Sequence, residues 1–206
     1  DKATTKMTGK GVTIAMLDTG FSASLDTLGE LSGRVRPPLN ATVPTAVPTT
    51  VPVGALNPAQ SLQGAQDFWE GHGTQVAILA AGSKNGIATD AEILPIKVCK
   101  EGENGRASCS SKDVLRGLCL ALNQVPAKQL VMNLSLGGSM PTSAIHAVLN
   151  WASKQGAVIV AAGGNQGLNG NPKEYPAAFA EGTPSQVALP LIAVASVSPA
   201  GNKAGN

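Results

Sequence analysis

The sequence predicts an α/β fold in which a doubly wound, mostly parallel sheet carries helices on both faces. Two observations carry that expectation. Near-continuous apolar runs rich in β-branched residues recur along the chain, and strands buried on both faces read this way. Segments of helical periodicity alternate with them, as crossover connections between parallel strands require. With 206 residues, 43% hydrophobic and 14% charged, the chain suits one domain, residues 1–206, with a sizeable core.

In chain order the strand candidates are GVTIAMLD (11–18), AEILPIKVC (91–99), QLVMNLSL (129–136), GAVIVAAG (156–163) and LPLIAVASV (189–197). Between the first two, a helical run covers Val76 to Ala81. A second helix is expected over Lys112 to Leu122, where Val114, Leu115, Leu118 and Leu122 set the pattern and Cys119 reads as a small core residue. The third runs from Thr142 to Gln155 with Ile145, Val148, Leu149 and Ala152 on one stripe; Pro141 with Thr142 or Ser143 marks its start and Gly156 its end. His146 falls on the side read as exposed. From Pro37 to Pro58 the chain is rich in proline, threonine and valine, which cannot continue a helix or a central strand, so a loop or edge excursion is expected there. Asn40-Ala41-Thr42 is a glycosylation sequon, relevant in a eukaryotic secretory setting.

The net charge of +2 comes without a dense basic stripe, which argues against nucleic acid as a partner. No apolar run has the length of a membrane span, no basic leader opens the chain, and a first residue of Asp1 is expected of a processed or excised segment. Cys99, Cys109 and Cys119 match no zinc spacing. Cys99 and Cys109 bracket a polar loop, so either a disulfide closes it in a secreted protein or all three thiols are reduced.

In such a fold ligands gather beyond the carboxyl ends of the strands, so the residues there matter most. The first strand ends in Asp18-Thr19-Gly20, a turn that can fix an ionised carboxylate with backbone donors. By itself DTG reads as an Asx-turn or cap. The aspartic proteases also use it, but they need two such carboxylates, and no second D-[ST]-G exists here. His72 sits between Gly71 and Gly73 at a helix start, where backbone or substrate can approach closely. Ser135-Leu136-Gly137-Gly138 follows the third strand, and Asn165 follows the fourth in AAGGN.

Together, DTG, HGT, SLG and AAGGN, in that order, resemble the subtilisin-like serine proteases, the subtilase family, from about Gly11 to Ser198. The resemblance implies a serine endopeptidase acting on polypeptides, secreted, without a cofactor. It implies that Asp18 orients His72, that His72 is general base and then general acid, and that Asn165 donates to an oxyanion. Ser135, Leu136 and Gly137 would hold the substrate by strand-like hydrogen bonds. Ala162 and Gly163 would wall the primary pocket, and such small residues suggest room for a large apolar side chain.

The nucleophile of the family pattern is missing. Ser should follow Asn165 by several tens of residues, beyond further strands, whereas this sequence stops at Asn206. Gly182-Thr183-Pro184-Ser185 precedes the last strand and carries an inserted proline, so Ser185 reads as a surface-loop decoy. The domain is therefore expected to be cut before its nucleophile segment, with Ser on a separate fragment or absent from an incomplete piece. A propeptide is a further possible partner. Gln75 replaces a histidine often found in the family but belongs to no triad. GSKNGIATDAEI lacks an asparagine-rich calcium loop, so no metal site is indicated, though calcium is possible through carbonyl ligands. The non-enzyme alternative is an inactive domain that binds peptide or propeptide. A nucleotide-binding protein would need G-x-G-x-x-G or a P-loop, and an α/β-hydrolase G-x-S-x-G; the sequence has none of these.

Overall fold

In the computed structural model, which describes residues 7–22, 29–31, 33–43, 65–68, 71–182 and 187–197, the first apolar run forms strand β1 (Thr13–Asp18), buried throughout. A strand of that pattern needs cover on both faces, and β1 lies inside a six-stranded sheet. It pairs in parallel with β3 (Glu92–Lys97) on one side and β6 (Leu130–Leu134) on the other. Beyond β6 come β7 (Val158–Ala162) and then β8 (Ile192–Val194), both parallel. The short β2 (Leu39–Asn40) closes the other edge against β3, so the start of the proline-rich stretch is an edge excursion. Positions 44–58 of that stretch, and Ser185, lie outside the described residues. The order β2-β3-β1-β6-β7-β8 places the switch in winding direction at β1.

Among the described residues, three helices of ten residues or more cover the sheet. On one face α1 (His72–Ala81) lays Ala77 and Ala81 against Ile14, Met16 and Ile93. On the other, α2 (Ser111–Gln124) and α3 (Ser143–Lys154) pack Leu118, Ala121, Ile145 and Leu149 against Leu17, Ile96, Met132 and Ile159. Helix α2 starts where Ser110 accepts a hydrogen bond from the Asp113 amide at 3.1 Å, taking up one of the unpaired donors of the first turn. Its seventh residue, Gly117, faces the sheet so closely that a Cβ there would collide with Val98 and lie 3.2 Å from Leu17.

Two side chains depart from the sequence expectation. Cys119 is exposed: α2 turns Val114, Gly117, Leu118 and Ala121 inward, and the residue after Leu118 is rotated about 100° away. His146 is buried. Its ring lies edge-on to Phe179 with centroids 4.9 Å apart, and its Nε2 donates to the Val187 carbonyl at 2.8 Å. The chain after β7 folds back over α3, so a helix face that reads as solvent-facing acquires a partner from 41 residues away. Cys99 and Cys109 are joined in a disulfide across a separate antiparallel ribbon formed by β4 (Lys100–Glu101) and β5 (Ala107–Ser108). Among the described residues no helix is long and apolar enough to cross a membrane.

Candidate functional site

Asp18 ends β1 with its side chain buried, and Oδ1 lies 2.6 Å from Nδ1 of His72. The half-exposed imidazole has its pKa raised above the ordinary 6.5, first by this hydrogen bond, against the opposing effect of burial, and further by the charges of Asp18 and Asp67. The Thr19 amide donates to Asp18 Oδ1 at 2.7 Å, so the turn after β1 fixes one carboxylate oxygen. Oδ2 is buried without a hydrogen-bond partner among the described residues.

His72 is the first residue of α1, and a helix start leaves amides that need acceptors. Gly71, in the left-handed region at φ 75°, gives no side-chain cap. Acceptors come from elsewhere: the Gly73 amide donates to Thr19 Oγ1 at 3.0 Å, and the Thr74 amide to Asp67 Oδ2 at 2.8 Å. Thr19 Oγ1 in turn donates to Asp67 Oδ1 at 2.5 Å. The turn after β1 and the start of α1 are thus locked together by side chains, which sets the distance between Asp18 and His72. Gly73 must be glycine for the same reason, because a Cβ there would strike the Gly20 carbonyl and lie 3.1 Å from Asp18 Cβ.

The strands β1, β6 and β7 are parallel neighbours, so their carboxyl ends share one edge of the sheet. Asp18 at the end of β1, and Ser135 and Asn165 just past the ends of β6 and β7, meet His72 around a cleft of about 260 Å³. Leu136, Gly137 and Ala162 line it as well. Gly163 instead turns its amide to the Val194 carbonyl at 2.7 Å, and Gly164 takes its place at the cleft. The segment after Gly137 is anchored from outside, since Gly138 and Tyr175 exchange backbone hydrogen bonds at 3.0 and 2.8 Å.

Sequence reasoning missed two carboxylates. Asp67 lies five residues before His72, and an acidic residue just ahead of a helix start is a recognisable dipole partner. Glu174 lines the cleft from the loop that follows Asn165, and no local signal announces it. Lys97, at the end of β3, donates to the carbonyls of Thr19 and Gln66 at 2.7 Å each and sits 4.3 Å over the Phe68 ring. Burial holds its ammonium pKa below the usual lysine range. It braces the turn carrying Asp18 from below. Among the described residues no group of three or more histidine, cysteine or acidic side chains is placed to hold a metal.

Comparison with known proteins points to one family. The model of the subtilase family, peptidase S8, matches residues 9–205. Subtilisin BL of Lederbergia lenta is 33% identical over 179 residues, 84% of this chain and 54% of the relative. The minor extracellular protease Vpr of Bacillus subtilis is 34% identical over 170 residues, 79% of this chain and 19% of the relative. A solved structure titled S41 Psychrophilic Protease superposes with a TM-score of 0.64 at 28% identity, covering 92% of this chain and 54% of its own. The chain therefore spans about half the length of subtilisin BL and a smaller part of Vpr. By the family match along nearly its whole length, the chain belongs to the subtilase family.

Proposed function

We propose that this chain supplies the Asp–His half of a serine endopeptidase site, and that the nucleophilic serine is carried by polypeptide outside these residues. The observation that carries the reading is the 2.6 Å contact between His72 Nδ1 and Asp18 Oδ1 at the mouth of the cleft. With Nδ1 committed to a carboxylate, the proton transfers fall to Nε2. His72 takes the serine proton as the oxygen bonds to the scissile carbonyl carbon, and Asp18 stabilises the resulting imidazolium. His72 then gives that proton to the leaving amine as the C–N bond breaks. Water repeats the sequence on the acyl-enzyme and releases the carboxylic acid.

Asn165 would donate its side-chain amide to the oxyanion, an interaction of roughly 3 kcal/mol as measured within this family. Ser135 to Gly137 would pair with an extended substrate, whose unsatisfied backbone groups find partners on such a segment. Ala162 and Gly164 would form the wall beside the residue preceding the scissile bond. An external serine segment is supported by the sheet face at β7 and β8, where Val158, Ile192 and Val194 are 44%, 54% and 50% exposed although they belong to a sheet. A secreted setting is supported by the Cys99–Cys109 disulfide and by the extracellular relatives Vpr and the minor extracellular protease Epr of Bacillus subtilis, although the major intracellular serine protease of Bacillus subtilis also matches.

The test is covalent labelling of the full-length protein with a fluorophosphonate, followed by intact mass. Rapid labelling of a serine beyond these residues, abolished by His72→Ala, is the expected outcome. An unlabelled but peptide-binding protein would establish the inactive binding domain instead.

A further inference from the structure

The cleft contains a carboxylate that the Asp18–His72 pair does not use. A Cβ placed on Gly137 would lie 2.5 Å from Glu174 Oε2, and one on Gly164 would lie 2.9 Å from Oε1. The carboxylate thus fills the space that side chains at both positions would take, between the segment after β6 and the segment after β7. Its backbone is fixed there. The Ala178 amide donates to the Glu174 carbonyl at 2.8 Å, and the next residue, Tyr175, is paired to Gly138.

Among the described residues no side chain pairs with the Glu174 carboxylate, and its neighbour Lys173 lies 2.8 Å from Glu181. Asp18, the other carboxylate at the cleft, is engaged with His72. A half-buried carboxylate between two glycines is placed to accept charge-assisted hydrogen bonds from a cation seated beside it.

We propose that Glu174 makes the cleft select a lysine or arginine side chain of the polypeptide substrate, seated beside Gly137 and Gly164 with its cation on the carboxylate. The selection rests on the peptidase reading of the same cleft. Small walls at Ala162 and Gly164 accommodate the aliphatic stem, and the carboxylate meets the charged end. An apolar side chain of equal length would fit the walls but leave the carboxylate desolvated and unpaired, so the loss falls on the substrate without a charge.

The test uses the full-length protease and two peptides that differ in one residue before the scissile bond, lysine or norleucine, which keeps the stem and removes the charge. The wild type is expected to favour lysine at least about tenfold in kcat/KM, equivalent to about 1.4 kcal/mol. In Glu174→Gln the ratio should fall to near unity. A wild-type ratio near unity overturns the proposal without reliance on any variant, and so does a tenfold ratio that survives Glu174→Gln. Equilibrium binding of the same two peptides separates this proposal from the peptidase reading. If neither peptide is cut, the peptidase reading fails, yet a lysine preference in binding that Glu174→Gln removes upholds the role of Glu174, and equal binding overturns it.

Discussion

The contact between His72 and Asp18 has opposite consequences for stability and for activity as pH changes. The folded-state pKa of His72 is raised, so the stabilisation from its charged form is fully present below the ordinary value of 6.5 and fades as pH climbs through the raised value. General-base action needs the neutral ring, so activity is expected to rise through that same raised value. In Asp18→Asn the hydrogen bond to a charged partner and its attraction both disappear, while burial still disfavours the imidazolium. The His72 midpoint, followed by NMR of the ring protons, should therefore drop relative to wild type; an unchanged midpoint would mean that Asp18 does not set the charge state of His72. Asp67→Asn should lower it less, because the Asp67 charge is the smallest of the named causes.

Among the elements, α2 illustrates a conflict that only magnitudes can settle. By propensity alone, Gly117→Ala should stabilise the helix by about 1 kcal/mol. By packing, the added methyl meets Val98, Leu17 and Ile96 at a helix–sheet contact with no spare room. Overpacking costs about 1–3 kcal/mol, so the packing cost exceeds the gain. We expect a net loss of about 1 kcal/mol, read as a lower denaturant midpoint at unchanged slope. A higher midpoint would indicate that α2 moves away from the sheet with little cost. The start of α1 follows a different logic, since its amides are satisfied from Thr19 and Asp67 instead of by a local cap. Helix position and site geometry are thereby one problem with one solution.

For the whole molecule, the α1 face of the sheet is covered unequally along its width. Over β1 and β3 the α1 face is sealed, with Ile14, Met16 and Ile93 buried. Over β7 and β8 the same face, continued through the parallel register, presents Val158, Ile192 and Val194. Contiguous apolar surface of this kind attracts hydrophobic probes and other chains. The 206-residue chain is expected to bind a hydrophobic dye and to self-associate at high concentration, and Ile192→Thr with Val194→Thr should reduce both without loss of helical circular dichroism. A monomeric chain with no dye binding would show that this face is covered in solution.

The sequence alone determined the sheet, its strand candidates, three helices and the four motif residues or segments that line the cleft. Periodicity is a local property, and Asp18, His72, Ser135 and Asn165 stand in short motifs whose neighbours are contiguous in the chain. Tertiary structure decided the rest. His146 became a core residue because Val187 and Phe179 fold back onto α3, and Cys119 became exposed because the helix register turned Leu118 inward. The choice between a disulfide and free thiols at Cys99 and Cys109 depended on the ribbon that brings them together. Glu174 carried no motif at all. Its placement between Gly137 and Gly164 arises from a loop paired to Gly138 across 36 intervening positions, and a contact made over that distance leaves no periodicity for a linear reading to detect.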